Sequence, residues 1–522
     1  MRKRFNIAGP CLADRHYMLP ALARSPELVD FVESGEYFVV HAARQSGKTT
    51  AMLALVDEIN ARGAMNALYF TVESAQPYSS PEEGIPVVVR AMASDLLSDE
   101  RFSAVIPVDA TGEVDGAWSR QIGVERFFMH LSKESKKPLA IFIDEIDALS
   151  DGTLIAFLRQ LRSGYITRAR IPFPASIALV GMRNIRDYKA QVRSDSHALG
   201  SASPFNIVSE VLTLRNFTED EVRQLYAQHT EATGQVFQSD AVVEAYRLTC
   251  GQPWLVNAIA RECVEKIHGY RYDEPITFDD IGTAKETLIR ARGTHVDSLM
   301  ERLKEERVRR VVEPVILGSE NGVPRNDDDC RYVLDMGLLK EDEHHAIVPA
   351  NPMYTEILLR YLSQDEQELF KGRYQTPFWL RPDGSLDMAA LMSEFQKFWR
   401  ENSESYHEVY GYKEAMPHLV IMAFLQRVVN GGGRIIREMA LGSKRLDLCV
   451  EYKTFRYALE LKMRRNFVRE RSLVQFVEYL DHLGLDEGWM PVFDDDKSRS
   501  WDERLYNRDE TAGGKTIHVV GL

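Results

Sequence analysis

The residues YFVVHAARQSGKTTA, numbers 37–51, are the most informative about the fold of the first part of this 522-residue chain. It opens with a short apolar run, Tyr37 to Val40, which predicts a buried strand. A loop ending in Gly47-Lys48-Thr49 follows, and apolar residues then recur at helical spacing as far as Asn60. A loop between a strand and a helix presents backbone N–H groups and the positive end of the helix dipole. The stretch therefore predicts a phosphate-binding loop.

Two side chains of this loop are predicted to bind the nucleotide and its metal ion. Lys48 would reach the β- and γ-phosphates of a nucleoside triphosphate, and the hydroxyl of Thr49 would bind Mg²⁺. Ala42 replaces the first glycine of the usual motif. Alanine is tolerated at this position if its backbone φ is negative. The residues expected to contact the nucleotide are Ala43, Arg44, Gln45, Ser46, Gly47, Lys48, Thr49 and Thr50.

A second apolar run, LAIFIDE at residues 139–145, ends in two acids. Ligands bind at the open carboxyl ends of parallel strands, so these acids would meet the phosphate loop. Asp144 would hold Mg²⁺ through water, and Glu145 would orient or activate an attacking water. The alternative is a buried strand with solvated acids at its tip, but the order of loop, intervening strand and acidic strand favours a nucleotide site.

The chain divides into segments of different pattern. Strands alternate with helices up to residue 216, which predicts an α/β fold with a parallel sheet covered on both faces. The later segments are predicted as a helical lid (217–295), a winged-helix-like domain (296–362), a linker (363–384) and a second α/β domain (385–522).

Over residues 5–360 these motifs resemble the AAA-type ATPases, more narrowly the AAA-like ATPase domains of bacteria and archaea. The resemblance implies ATP and Mg²⁺ as ligands, a homo-oligomer, and an N-terminal segment (FNIAGPC, residues 5–11) that packs beside the nucleotide. It places a γ-phosphate sensor at Arg183 or Asn184 and a lid contact to the nucleotide at Pro253. A merely structural role for these outer residues remains an equal alternative.

Acidic residues and a lysine recur at a second place, where Asp447 is followed by Glu460-Leu461-Lys462. Residues 445–452 and 457–463 read as two strands joined by a four-residue hairpin, which sets Asp447 opposite Lys462 and Glu460 opposite Cys449. Because side chains alternate faces along a strand, both acids and the lysine would share one face over an apolar floor.

This grouping suits metal-assisted phosphodiester hydrolysis. The oxygens of Asp447 and Glu460, with the carbonyl of Leu461, would bind Mg²⁺ or Mn²⁺, which acidifies a bound water. Lys462 would position that water or neutralise the phosphate, and Glu438 would add a further acid. The alternative is an antiparallel hairpin whose polar face carries ordinary charges.

Residues 385–522 also resemble the PD-(D/E)xK nuclease superfamily, with Asp447 as the motif aspartate and Glu460-Leu461-Lys462 as E-x-K. Gln475 and Tyr479 match its QxxxY element, which implies that the glutamine places the phosphate and the tyrosine contacts DNA. Leu446 replaces the motif proline. The resemblance implies a metal-dependent nuclease acting on nucleic acid, with DNA favoured over RNA.

Composition sets further bounds. The net charge of −14 is unfavourable for phosphate contacts, but residues 434–471 hold eleven basic and five acidic residues. No run is long enough for a membrane span, and the start MRKRFNIA lacks the apolar core of a signal peptide. The five scattered cysteines predict free thiols in a reducing cytoplasm.

The favoured hypothesis is an ATP-binding and ATP-hydrolysing protein that controls a DNA-cutting nuclease domain. The family likeness points to prokaryotic phage or mobile-element defence. One alternative is an ATP-dependent regulatory switch whose nuclease-like domain binds nucleic acid or protein without cutting. A third is an ATP-driven remodeller of proteins.

Overall fold

This computed structural model describes residues 2–182, 207–291, 294–317, 327–343, 345–362, 379–409, 420–422, 424–425, 433–441, 444–464, 469–494, 496 and 498–522. The chain forms two compact units. The first comprises Met1–Val308 and Pro324–Tyr354, and the second comprises Arg309–Val323 and Thr355–Leu522. Within the described residues, no helix is long and apolar enough to cross a membrane. All five cysteines are free thiols.

The first unit is built on a five-stranded sheet in the order β2-β3-β4-β1-β5, and every pairing is parallel. The prediction of a parallel sheet is confirmed. All residues of β3 and β4 are buried, as expected for strands covered on both faces. The strands are β1 (Tyr37–His41), β2 (Asn66–Thr71), β3 (Leu139–Asp144), β4 (Ser176–Gly181) and β5 (Glu210–Thr213).

Helices cover both faces of this sheet, and the alternation of side chains along β1 shows how. Tyr37 and Val39 belong to one apolar cluster, whereas Phe38 and Val40 belong to another on the opposite face. The first cluster holds residues of α3, α4 and α5, and the second holds residues of α1 and α2. The helices are α1 (Glu27–Glu33), α2 (Lys48–Arg62), α3 (Pro81–Leu96), α4 (Gly116–Glu134) and α5 (Asp151–Thr167).

A helical segment follows β5. It begins with a capping box in which the hydroxyl of Thr218 accepts from the N–H of Glu221, and the Glu221 carboxylate accepts from the N–H of Thr218. Its helices are α6 (Glu219–Thr233), α7 (Ser239–Thr249), α8 (Pro253–Arg261), a π-helix (Glu262–Ile267) and α9 (Phe278–Ala291). The helices are interrupted at residues 251–253, since Gly251 has φ +70° and Pro253 is the first residue of α8.

Short helices and a two-stranded hairpin complete the described part before the second domain. They are α10 (Thr294–Arg302), α11 (Glu306–Leu317), α12 (Asp328–Asp335), β6 (Leu339–Glu341), β7 (Ile347–Pro349) and α13 (Pro352–Leu362). Gly337, between α12 and β6, has φ +73° and lies against the phosphate loop. A Cβ atom at Gly337 would stand 2.5 Å from the Cβ of Ala43, so only glycine fits there.

The second unit contains a seven-stranded mixed sheet in the order β13-β14-β12-β10-β9-β8, with β11 also paired to β12. Strands β8, β9 and β10 form an antiparallel meander, and β12 is parallel to β10, β11 and β14. The strands are β8 (Gly433–Leu441), β9 (Lys444–Tyr452), β10 (Phe455–Leu459), β11 (Lys462–Met463), β12 (Glu487–Phe493), β13 (Asn507–Ala512) and β14 (Lys515–Gly521).

Helices α14 (Met388–Val409), α15 (Arg469–Leu483) and the short α16 (Trp501–Arg504) complete this unit. Leu448 and Leu459 pack in a cluster with residues of α14, while Cys449 and Ala458 pack in a separate cluster with residues of α15. The two long helices therefore cover opposite faces of the sheet, as alternating side chains require.

Candidate functional sites

The phosphate loop joins β1 to α2. Its tight course depends on left-handed backbone at Gln45 (φ +58°) and Gly47 (φ +88°). A Cβ atom at Gly47 would stand 2.8 Å from Nη2 of Arg24, so this glycine is needed for conformation and for space. The backbone φ of Ala42 is not positive, so alanine is tolerated at the position where the usual motif has glycine.

Lys48 is held inside the loop. Its ammonium donates to the carbonyl oxygens of Ala42 at 2.8 Å and Ala43 at 3.0 Å. The side chain is only 8% exposed, and burial lowers its pKa although the charges of Asp144 and Glu145 oppose that shift. A cation anchored on loop carbonyls is suited to binding phosphate oxygens.

The two predicted magnesium ligands are in direct contact. The hydroxyl of Thr49 donates to Oδ2 of Asp144 at 2.8 Å, and the hydroxyl of Tyr69 donates to the same oxygen at 2.8 Å. The backbone N–H of Glu145 donates to Oδ1 at 2.8 Å. Asp144 is 1% exposed, so these three donors balance the cost of burying its charge. Oxygen ligands of this kind fit Mg²⁺.

Tyr69 was not predicted from the sequence. It lies in β2, next to the acidic strand, and both burial and the charge of Asp144 raise the pKa of its phenol. The phenol therefore remains a donor to Asp144. An aromatic residue within an apolar strand carries no signal for such a role.

Glu145 lies just after β3 in left-handed backbone, with φ +58°. Its side chain is exposed, but it faces the cavity described below, whose walls remove part of its hydration. This loss of hydration, and then the charge of Asp144, raise the pKa of Glu145. A carboxylate with a raised pKa is a better proton acceptor, which agrees with the predicted role of activating water.

The predicted γ-phosphate sensors, Arg183 and Asn184, lie outside the described residues. The strand that leads to them is fixed by Asp147, whose carboxylate accepts from the N–H of Met182. A Cβ atom at Gly181 would collide with that carboxylate, so the end of β4 lies tightly against the acidic segment.

Arg24 is a buried cation behind the loop that sequence reasoning missed. Its Nη1 donates to the carbonyls of Ser46 and Arg215, both at 2.9 Å, and its guanidinium lies over the ring of Phe217 at 5.1 Å. Burial lowers the pKa of Arg24 to about 10, so it stays charged at neutral pH. Arg24 thus ties the phosphate loop to the segment that follows β5.

We expect Arg24→Lys to lower the melting temperature and to weaken binding of ATP. A single ammonium lacks the planar fork that serves two carbonyls and stacks on an aromatic ring. Losing one such charge-assisted hydrogen bond costs roughly 1.5–3 kcal/mol. Thermal denaturation and nucleotide titration measure the two effects. The matched control is Arg62→Lys, since Arg62 is 45% exposed and pairs with Glu33 and Glu58 on the surface. An equal loss of melting temperature and ATP affinity in this control would contradict the role of Arg24.

A cavity of about 410 Å³ adjoins the loop, within the size range of small-molecule sites. It is lined by Arg44, Gln45, Gly47, Lys48, Thr49 and Thr50 of the loop, by Glu145, by residues 6–11, and by Pro253, Trp254 and Asn257 of α8. Two hydrogen bonds close its wall. The indole N–H of Trp254 donates to the carbonyl of Ile7 at 2.9 Å, and the N–H of Cys11 donates to the hydroxyl of Thr50 at 3.1 Å.

The register predicted for the C-terminal hairpin was wrong. Phe455 pairs with Tyr452 and Leu459 pairs with Leu448, so the turn contains only Lys453 and Thr454. Lys453 has φ +54°, and no glycine or asparagine marks the turn, which is why its length was misjudged. Asp447 is therefore not opposite Lys462. The register differs from the predicted one by two residues, and side chains alternate faces with a period of two. Asp447, Glu460 and Lys462 therefore still lie on one face of the hairpin, as predicted.

Glu460 lies beside Asp447, one residue beyond the end of β10. Its carboxylate accepts a 3.4 Å hydrogen bond from the N–H of Asp447, and Oδ2 of Asp447 accepts from the N–H of Leu461 at 2.8 Å. Lys462 donates to Oε1 of Glu460 at 2.7 Å. The chain breaks its strand at residues 460–461, and Lys462 continues in β11 beside Val492. The structure thus brings both acids and the lysine together.

Glu460 is 2% exposed. Burial, and then the charge of Asp447, raise its pKa to about 7, although Lys462 opposes the shift. Two carboxylates share this small region with one ammonium, and a divalent cation would relieve their repulsion. Within the described residues, no group of three or more His, Cys, Asp or Glu side chains forms a ready metal cluster. A cation here would bind the two carboxylates, the Leu461 carbonyl and water, which suits Mg²⁺.

The affinity of this site for Mn²⁺ is expected to fall about tenfold between pH 8 and pH 6. A metal ligand must be deprotonated, and a carboxyl with a pKa of about 7 binds a proton as the pH falls through neutrality. Calorimetric titration of the full chain measures the change, and the difference from Asp447→Asn isolates this site. The affinity of Glu460→Gln should be weak and independent of pH. Wild-type affinity that is constant over this range would contradict the expectation.

Gln475 and Tyr479, the residues of the predicted QxxxY element, both lie on α15. The side-chain amide of Gln475 donates to the hydroxyl of Tyr479 at 2.8 Å. Tyr479 is 1% exposed and packs in the apolar cluster beneath α15, so its side chain does not reach a surface where DNA would lie. Tyr479 instead orients Gln475, which is half-buried. The side chain of Glu438 lies outside the described residues.

No protein-family model matches this chain, and no curated protein matches it. Among solved structures it is similar to a Walker-type ATPase of Pyrococcus abyssi, with 14% identity and a TM-score of 0.49 over 68% of this chain and 99% of that one. It is also similar to the RuvB Holliday junction branch migration motor of Thermotoga maritima (14% identity, TM-score 0.32, 65% of this chain and 93% of that one). The AAA domain of FIGL-1 in complex with ADP is 15% identical, with a TM-score of 0.29 over 48% of this chain and 70% of that one.

These likenesses concern the fold. The first unit is a parallel α/β fold in which the phosphate loop after β1 meets the acidic end of β3, an arrangement of the P-loop type.

Proposed function

We propose that this chain binds and hydrolyses ATP with Mg²⁺ and that its nucleotide state controls a metal-dependent nuclease domain that cuts DNA. The observation that supports the first half best is the contact between Thr49 and Asp144 beside a buried Lys48. The second half is supported by the meeting of Asp447, Glu460 and Lys462 at the broken edge of β10.

In the nucleotide site, phosphate oxygens would bind Lys48 and the loop N–H groups at the start of α2. The Thr49 hydroxyl and, through water, Asp144 would hold Mg²⁺, which would neutralise charge on the terminal phosphates. Glu145 would orient the attacking water and accept its proton. The sensors Arg183 or Asn184 and the contact of Pro253 with the nucleotide belong to this proposal.

In the second unit, Mg²⁺ or Mn²⁺ held by Asp447 and Glu460 would supply a more acidic water and stabilise charge on the phosphate. Lys462 would position the water or neutralise the scissile phosphate, and Gln475 would help to place that phosphate. The water oxygen attacks phosphorus as the P–O bond to the leaving strand breaks. The attacking water would lose a proton to solvent, and solvent would protonate the leaving oxygen.

The order of segments gives this proposal its architecture: an ATPase core (1–216), a helical lid (217–295), a winged-helix-like domain (296–362), a linker (363–384) and the nuclease-like domain (385–522). Gly337 packs against Ala43, so the segment after α12 touches the phosphate loop directly. Through this contact, occupancy of the loop would be transmitted beyond the core. Assembly as a homo-oligomer and a cytoplasmic role in defence against phage or mobile elements complete the proposal.

The test is an assay of the purified chain with single- and double-stranded DNA and RNA, with Mg²⁺ or Mn²⁺ and ATP. We expect metal-dependent cleavage of DNA that Glu460→Ala abolishes, together with release of phosphate from ATP. RNA would be cut more slowly or left intact. Phosphate release without cleavage of any nucleic acid would contradict the nuclease half alone.

A regulatory switch is the second candidate. It is favoured because, in the part of the chain that the structure describes, no three or more His, Cys, Asp or Glu side chains form a group that could hold a metal. In that case the second unit would bind nucleic acid or protein without cutting it. Nucleic-acid binding that survives Glu460→Ala, with no cleavage by the wild type, would favour this candidate.

A further inference from the structure

Among the residues that the structure describes, three cationic side chains line the cavity beside the phosphate loop: Arg24, Arg44 and Lys48. Arg24 and Lys48 are both held in place, because each donates hydrogen bonds to backbone carbonyls. Arg44 is exposed, and no described residue forms a hydrogen bond or an ion pair with its side chain. In the described part of the cavity wall, Arg44 is therefore the cation that remains available to an anionic ligand.

The backbone places Arg44 beside the end of the Lys48 side chain. The carbonyl of Ala43, in the same peptide unit as the N–H of Arg44, accepts from the Lys48 ammonium at 3.0 Å. Burial decides the direction of the pKa shifts of Lys48 and Glu145, and the positive charge of Arg44 also acts on both groups. The guanidinium thus lies near Lys48 and Glu145, on the side of the loop where the terminal phosphates of a nucleotide would bind.

A cation at this point meets the charge that hydrolysis of ATP creates. The oxygen of water bonds to the γ-phosphorus while the bond to the β–γ bridging oxygen breaks. ADP leaves with that electron pair, and Glu145 accepts the proton of water. In the transition state negative charge is spread over the γ-phosphate oxygens, which the planar N–H donors of a guanidinium match. Arginine stays protonated in proteins, so Arg44 would stabilise this charge without exchanging a proton.

We propose that Arg44 is a catalytic residue whose guanidinium binds the γ-phosphate of ATP in its own chain and stabilises the charge formed there during hydrolysis. This inference rests on the proposed hydrolysis of ATP. Because Arg44 and Lys48 belong to one loop, each chain carries this cation for its own nucleotide. Hydrolysis then needs no arginine from a neighbouring subunit.

Hydrolysis of ATP by the full-length Arg44→Ala variant tests the role of the guanidinium. We expect kcat to fall about 10³-fold or more, the usual contribution of an arginine that stabilises this transition state. The affinity for ADP, which lacks the γ-phosphate, and the melting temperature should be those of wild type. Arg15→Ala is the matched control, because Arg15 is also exposed but does not line the cavity. This control should hydrolyse ATP as wild type does.

Added guanidinium ion separates the missing charge from a disturbed loop. At a concentration that does not unfold the chain, guanidinium chloride should restore part of the hydrolysis by Arg44→Ala. It should restore none to Glu145→Gln, which keeps its arginine and lacks the proton acceptor.

Mixing Arg44→Ala with Glu145→Gln tests whether the arginine serves its own chain. Each variant lacks one group of the same site, so the mixture should hydrolyse ATP no faster than the two variants measured separately. Recovery of hydrolysis in the mixture would show that Arg44 serves the nucleotide of a neighbouring subunit and would overturn the inference.

Hydrolysis by Arg44→Ala at the wild-type rate would also overturn the inference. So would weaker binding of both ATP and ADP with an unchanged kcat, because that pattern marks a residue that binds the ground state and the transition state equally. If wild type hydrolyses no ATP, the proposed function fails together with the inference. Hydrolysis by wild type that survives in Arg44→Ala refutes the inference alone.

Discussion

Glu145→Gln is expected to lower the rate of ATP hydrolysis by about 10²–10⁴-fold, the usual contribution of a positioned general base. Glutamine has nearly the same shape but cannot accept a proton from water. The raised pKa of Glu145 makes the carboxylate a stronger base than an ordinary glutamate. For the same reason, hydrolysis by wild type should begin to fall at a pH above the usual glutamate range as the solution is acidified.

ATP affinity of this variant should change little, because Lys48, Thr49 and the loop N–H groups are intact. Phosphate release and nucleotide titration separate the two effects. Glu73→Gln is the matched control, since Glu73 also lines the cavity but does not adjoin Asp144 in the chain. Hydrolysis by Glu145→Gln at the rate of wild type would remove Glu145 from the mechanism.

Asp447→Asn is the second substitution with a large expected effect, a loss of DNA cleavage by about 10³-fold or to background. Asparagine retains an oxygen that can accept from the N–H of Leu461, so the backbone break at residues 460–461 should persist. The charge that binds the cation is lost. Removing this charge also lowers the repulsion on Glu460, so the variant without metal should be at least as stable as wild type above pH 7.

Cleavage of a labelled DNA and thermal denaturation measure these two effects. Glu451→Gln is the control, because Glu451 lies on the same strand and pairs with Arg456 at 2.9 Å. Its cleavage rate should match that of wild type, and ATP hydrolysis should be unchanged in both variants. Cleavage by Asp447→Asn at more than a tenth of the wild-type rate would contradict the assignment of Asp447 as a metal ligand.

The parallel sheet and the nucleotide site were largely predictable from the sequence. The loop chemistry is local, since Gly47, Lys48 and Thr49 act through backbone and side chains within a few residues. The contact between Thr49 and Asp144 followed from the rule that the ends of parallel strands meet at one edge of the sheet. The alternation of strands and helices predicts such a contact wherever the carboxyl ends of two parallel strands carry a hydroxyl and a carboxylate.

Other residues of the site could not be predicted, because no local sequence pattern marks them. Arg24 donates hydrogen bonds to the backbone carbonyls of Ser46 and Arg215. Because every residue has a backbone carbonyl, the sequence does not indicate which residues Arg24 contacts. Tyr69 resembles any aromatic residue of a buried strand. The hairpin register depended on Lys453 adopting a backbone conformation that lysine rarely takes. The hydrogen bond between Asp447 and Glu460 could therefore be found only in the structure.

If ATP controls cleavage, the rate of DNA cleavage by the chain depends on whether ATP is present. Wild type and Lys48→Ala are compared at the same Mg²⁺ concentration. The wild-type rate should differ by about 5- to 150-fold between the two conditions, the usual range of coupling between sites. Lys48→Ala should cut at one rate in both. Equal wild-type rates with and without ATP, or a full ATP response in Lys48→Ala, would contradict the claim.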